Sequence, residues 1–286
     1  MTKIGCQMAF NEYTAPDFIG EAGAYVEELG FHSLWVPEHV LFFSEYESRY
    51  PYTEDGRIQG DPRSLIDPFS ALTFLAAHTR SIRLGSGICI VPQRNPVYTA
   101  RQVSDLDYLS GGRVDFGIGI GWLKEEFAAL GVPWPDRAGR TRECVAVMKT
   151  LWCDEVSHFQ GKYFNIDKAY QNPKPVQMPH PPLIFGGESE GAFRRVAELG
   201  QGWYGFNMTP AGMEQNLAVL DAALATAGRS REELQIHISP AYSASDKASI
   251  AAMAALGADQ IILPVLASTK DKLADRAKRA LELVQG

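Results

Sequence analysis

Glu38 and His39 stand side by side at the end of the apolar run Trp35-Val36-Pro37. Imidazole titrates near neutrality and an adjacent carboxylate tunes it, so the pair is a candidate proton donor or acceptor. An ordinary ion pair or helix cap uses the same residues. Two glycine-rich runs suggest a second kind of chemistry. Gly117-Ile118-Gly119-Ile120-Gly121-Trp122 and Gly186-Gly187-Glu188-Ser189-Glu190-Gly191 each end a strand-like run and precede a helical one. Glycine lets a ligand approach the backbone closely, and the free N–H groups of a helix start attract a phosphate. Tight turns without any ligand are the plainer alternative.

Several signatures are absent or incomplete. Counted from Gly117 or Gly119, the third glycine of a dinucleotide fingerprint falls on Trp122 or Lys124. There is no Walker sequence and no H-E-x-x-H. Gly187 to Gly191 does fit G-x-S-x-G, with Ser189 as a hydrolase nucleophile. The one later histidine, His237, lies inside the strand-like run Ile236-His237-Ile238, and no H-G-G-G segment accompanies it, so a serine hydrolase is a minor alternative. His32 and His78 fall near element ends, and His158 and His180 in a long connection. Cys6 and Cys89 sit in apolar runs and Cys144 and Cys153 on a helix, with no C-x-x-C and no zinc spacing. Buried, reduced thiols and no metal are the expectation.

The elements that position these residues can be read from the pattern. The 286 residues are 45% hydrophobic and 21% charged, close to globular averages. The net charge of −7 provides no basic field for nucleic acid. No apolar run approaches the roughly 18 residues of a membrane span, and the chain enters a strand pattern straight after Met1-Thr2-Lys3. A cytoplasmic protein without a signal peptide is the expectation. Glu28-Leu29-Gly30, Glu198-Leu199-Gly200 and Ala255-Leu256-Gly257 each read as a helix closed by a left-handed glycine, followed by an apolar strand. Strands are expected over 4–10, 31–36, 82–91, 113–118, 183–185, 203–206, 234–238 and 260–263, each followed by a helix. One helix opens on Asn95-Pro96 and stops at Gly111-Gly112. In the last helix, Leu273, Ala277, Ala280, Leu281 and Val284 share a face. Eight strand–helix units predict a (β/α)8 TIM barrel, one domain over 1–286, with a doubly wound open sheet as the alternative. Two connections are long. Residues 41–65 follow strand two and carry Phe42, Phe43, Tyr46, Tyr50 and Tyr52, as a lid or substrate wall would. Residues 156–182, before strand five, read as a structural excursion.

With these runs in view, the chain resembles the luciferase-like monooxygenase superfamily, in particular its probable coenzyme F420 (deazaflavin) oxidoreductase branch. The resemblance covers nearly the whole chain. It is carried by Ile82-Arg83-Leu84-Gly85-Ser86-Gly87, Arg94-Asn95-Pro96-Val97, Leu106 to Val114 and Gly117 to Trp122, with Trp35 to His39 and Pro182 to Gly187. It implies a ring in the barrel mouth and a phosphate at Gly119, Ile120, Gly121, Trp122, Gly186, Gly187 and Ser189. It implies a Glu38–His39 pair near the reactive ring carbon. It also implies a bulge in strand three with a non-proline cis peptide at Gly87–Ile88, against the ring. Trp122 stands where the sugar-phosphate dehydrogenases of this family carry glutamate, and no tryptophan follows strand two, which argues against that substrate class. The implied activity is hydride transfer between a deazaflavin and a small organic substrate. An FMN-dependent monooxygenase and a non-catalytic flavin-binding protein are alternatives, and pairing into a homodimer is common among relatives.

Overall fold

A computed structural model describes residues 2–59 and 62–284. Eight parallel strands close into a barrel: β1 (Lys3–Gln7), β2 (Ser33–Val36), β3 (Arg83–Ser86), β4 (Val114–Gly119), β5 (Leu183–Gly186), β6 (Gly202–Met208), β7 (Gln235–Pro240) and β8 (Gln260–Pro264). Each pairs with the next, and β8 returns to β1 with Lys3 opposite Gln260. The open-sheet alternative is thereby excluded. Around the barrel run α1 (Pro16–Glu28), α2 (Pro68–His78), α3 (Pro96–Ser110), the short α4 (Lys124–Ala129), α5 (Arg137–Cys153), α6 (Glu190–Leu199), α7 (Pro210–Thr226), α8 (Lys247–Ala255) and α9 (Lys270–Glu282). The strands are buried on both faces, which is why they read as continuous apolar runs instead of alternating ones.

Local signals behave as their chemistry dictates, with two exceptions. Asn95 Oδ1 accepts the Val97 N–H at 2.9 Å to open α3, and Gly111 closes it in the left-handed region. Gly30 and Gly257 are left-handed too. Gly200 is not: its φ is −88°. Glycine serves there because a Cβ would crowd the Phe185 ring and the Val196 carbonyl. The second exception is Cys153, which is exposed, while Cys6, Cys89 and Cys144 are buried and all four are free thiols.

The core has two shells. The larger lies between strands and helices. The smaller fills the barrel with Trp35, Ile184, Tyr204 and Ile262. Trp35 stacks on Tyr204 with centroids 5.3 Å apart, and its indole N–H donates to Ser33 Oγ at 2.8 Å. This layer plugs the barrel beneath its C-terminal mouth.

Strand three is not continuous. Leu84 and Gly85 pair with Val114 and Asp115, but after the break Cys89 and Ile90 pair with Ile118 and Gly119. β3 therefore carries one more residue than β4 across this stretch, a bulge by register. The peptide bond Gly87–Ile88 is cis, as the resemblance implied. Residues 157–160 and 165–169 of the second long connection form a separate antiparallel hairpin.

Candidate active site

A cavity of about 500 Å³ opens at the C-terminal mouth of the barrel. Every site residue expected from the sequence lines it: Glu38, His39, Gly87, Ile88, Gly119, Ile120, Gly121, Trp122, Gly186, Gly187 and Ser189. The size suits a cofactor-scale ligand. The 41–65 connection supplies the outer wall through Phe42, Tyr50, Tyr52, Ile58 and Leu65. A wider cavity of about 910 Å³ at the N-terminal mouth has neither the glycine turns nor the aromatic wall. Barrel enzymes keep their chemistry at the other end, where the strand-to-helix loops converge.

The glycines divide into two jobs. A Cβ at Gly119 or Gly186 would overlap the Ile88 side chain, so these two make room for the bulge. Gly121 and Gly187 sit at φ +78° and +106° and carry the turns that only glycine adopts freely. The second turn is braced by Trp203, whose Nε1 donates to the Gly187 carbonyl at 3.0 Å. Ser189 then caps α6, its Oγ accepting from the Ala192 N–H at 3.2 Å. That hydroxyl belongs to a helix cap, and His237 is held in the barrel interior against Trp35 and Gln235, so the hydrolase reading has no assembled nucleophile and base.

The Glu38–His39 pair is split. Glu38 is 5% exposed, and its carboxylate accepts from the Ile90 N–H and the Arg94 guanidinium. Arg94 also reaches Asp67. Glu38 thus ties the end of β2 to the residue that resumes pairing after the bulge. The carboxylate beside His39 is instead Glu126 of α4, with Oε2 3.4 Å from Nδ1. Glu126 also accepts the backbone N–H groups of Val40 at 2.6 Å and Leu41 at 3.1 Å, and Gln93 Nε2 at 2.9 Å. Burial alone would raise its pKa. The nearby His39 ring and the hydrogen bonds from Gln93 and Leu41 overcome that and hold it below the usual carboxylate value. Its neighbour Glu125 receives the N–H groups of Glu47 and Ser48 and the Ser48 hydroxyl. Against the opposing effect of burial, these lower its pKa to about 2. One short helix therefore pins the entry of the long connection through two adjacent carboxylates. In sequence, acidic residues opening a helix look merely solubilising.

Aromatic rings complete the wall. Trp122 lies edge-on to His39, Tyr46 and Tyr50, with centroids 5.8, 5.9 and 5.1 Å away. Arg195 is the other residue the sequence hid. It lines the cavity, is 4% exposed, and folds back along α6 toward Gly191. Among the described residues it has no hydrogen-bond partner. Burial, then the nearby Arg142, Arg137 and Arg194, lower its pKa to about 10. Glu198 offsets this only in part. A buried guanidinium without a hydrogen-bonded counterion, folded back toward the glycine turn that opens α6, has the chemistry of an anion receptor.

A closed parallel barrel with a cradle of glycine turns at its C-terminal mouth defines an enzyme-type barrel built around a small-molecule cavity. The chain belongs to the luciferase-like monooxygenase family, whose model matches residues 3–285 and whose members are oxidoreductases using F420 or flavin cofactors. An uncharacterized protein from Mycobacterium tuberculosis is 31% identical over 212 residues, 73% of this chain and 74% of its own. An FMNH(2)-dependent dimethylsulfone monooxygenase from Pseudomonas putida is 32% identical over 133 residues, 46% of this chain and 36% of its own. Among solved structures, an F420-dependent secondary alcohol dehydrogenase in complex with an F420-acetone adduct superposes with a TM-score of 0.77 at 19% identity. That likeness covers 99% of this chain and 98% of that one. No helix among the described residues is long and apolar enough to cross a membrane.

Proposed function

We propose that this chain is a deazaflavin-dependent oxidoreductase acting on a small organic molecule. The observation that carries this is the cavity itself. The Gly87–Ile88 bulge, the turns at Gly121 and Gly187 and the unpaired Arg195 line one apolar space. These residues fit a flat ring bearing a phosphate. Ile88 and the aromatic wall would sandwich the ring. The backbones of Gly119 to Trp122 and Gly186 to Ser189, with Arg195, would hold the anion. When bound, a deazaflavin supplies a carbon centre that accepts or gives hydride and reacts poorly with dioxygen. Glu38, fixed by Arg94, keeps the bulge in place. His39, beside Glu126 and open to the cavity, exchanges a proton at the strand-two end. Tyr50, Tyr52 and Trp122 keep water out. The sequence stretches shared with the deazaflavin branch support this choice of cofactor, as does the alcohol dehydrogenase among the structural neighbours.

The second reading is an FMN-dependent monooxygenase, favoured by the dimethylsulfone monooxygenase relative. Titrating each cofactor against tryptophan fluorescence separates the two, since Trp122 lines the cavity. Tighter binding of the deazaflavin is expected. Tighter FMN binding overturns the first reading in favour of the second.

A further inference from the structure

We infer that Glu188 exchanges the proton of the substrate's oxygen, and that the cavity takes a small uncharged alcohol or the matching carbonyl compound. This rests on the oxidoreductase reading above. Glu188 lines the cavity at the end of β5. One carboxyl oxygen accepts the Tyr52 hydroxyl at 3.1 Å and the other the Phe206 N–H at 3.2 Å. Both partners are neutral. The titratable and charged groups around it are Tyr50 and Tyr52 from the long connection, Tyr204 from β6 and Arg195 from α6. Arg195 makes no ion pair with it and is folded back toward Gly191. The cavity's other carboxyl, Glu38, is taken up by Arg94. Among the described residues, Glu188 is thus the carboxyl lining this cavity that lacks a cation.

Burial without a counter-charge holds the Glu188 carboxyl above the ordinary glutamate value, although the Phe206 N–H and the Tyr52 hydroxyl pull it down. A carboxyl tuned upward by burial and open to a cavity can both give and take a proton. With Arg195 assigned to the cofactor's anion in the reading above, the remaining lining includes Phe42, Ile58, Leu65, Trp122 and Phe206, apolar surfaces that favour an uncharged substrate. When an alcohol is oxidised, its carbinol C–H bond breaks, and the hydride with its electron pair goes to the deazaflavin or flavin of the preceding reading. The O–H bond breaks with its proton passing to the Glu188 carboxylate, and the C=O bond forms. Carbonyl reduction runs the same exchange in reverse, with the protonated carboxyl as donor. Tyr52 is a positioning residue: it fixes the carboxyl and favours its charged form.

The test is calorimetric binding of two neutral ketones, acetophenone and cyclohexanone, to the purified protein from the ordinary glutamate value of about 4.3 upward into the alkaline range, with and without saturating cofactor. A protonated Glu188 donates to the ketone oxygen, so affinity falls about fivefold as the group ionises. Glu188→Gln is expected to remove that pH dependence. Tyr52→Phe is expected to move its midpoint to higher pH, because a hydrogen bond to the charged form is lost; a scaffolding role for Tyr52 would leave the midpoint unmoved. Affinity independent of pH in the wild type, an inflection that survives in Glu188→Gln, or absence of ketone binding overturns the proposal. Failure of both cofactors to bind, with the ketone inflection intact, overturns the cofactor reading and leaves Glu188 as the proton donor.

Discussion

The carboxyls of Glu38 and Glu188 line one cavity from two different strand ends, and their surroundings differ in kind. At the β2 end, Glu38 meets a guanidinium and a backbone N–H, both committed to holding the bulge and the start of α3. At the β5 end, Glu188 meets a phenol and a backbone N–H, with no cation. Arginine lies close to both ends, but Arg94 is paired and Arg195 is not. The lesson is that charge compensation decides the job: a paired carboxylate holds geometry, and an uncompensated one is left to move a proton. The same rule sorts the arginines, one a strut and the other a receptor.

Four measurements test this contrast. The largest expected effect is on turnover. His39→Ala should slow it by roughly 10²–10⁴-fold, the usual worth of a placed proton carrier, while cofactor affinity changes far less. Full turnover in that variant would leave the β2 end as scaffold alone. Next is stability. Arg94→Met strands the buried Glu38 charge and should cost about 3–5 kcal/mol in urea unfolding. A loss near zero would mean that the ion pair does not hold the bulge. Third, Arg195→Gln should weaken a phosphorylated cofactor roughly 10–150-fold, the worth of a charged hydrogen bond, and leave riboflavin binding unchanged. Equal losses for both ligands would place the anion elsewhere.

The smallest effect concerns the pH dependence of folding. Glu188 has a raised folded-state pKa, so the folded protein binds more protons than the unfolded one. Its contribution is fully present below the unfolded value of about 4.3 and is lost as pH rises through the folded value. The melting temperature of Glu188→Gln relative to wild type should therefore climb from acid to neutral pH. A flat or falling difference in scanning calorimetry would show that the carboxyl is not desolvated.

Much of this was legible along the chain. The eight apolar runs, Asn95-Pro96 at a helix start and the glycines at 30 and 257 are local signals, each satisfied within one or two elements. Shared stretches with a known family added the bulge at Gly87–Ile88 and the barrel-mouth location. Gly200 misled because glycine answers two different needs, a left-handed turn and a crowded neighbour, and the sequence does not say which. The same ambiguity hid that Gly119 and Gly186 make room for Ile88.

Strand runs, helix caps and the glycine runs at strand ends could be read along the chain, because strand burial and caps are written in neighbouring positions; that the sheet closes was shown by β8 pairing with β1. The side-chain pairings came from the folded barrel. Glu126 reaches Val40 across 86 residues, and Tyr52 reaches Glu188 across 136. Adjacent in sequence, Glu38 and His39 were parted by Arg94 and Glu126, which the barrel brought to either side of them. Whether a buried charge is paired depends on which strands close around it, and that is fixed only when the barrel closes.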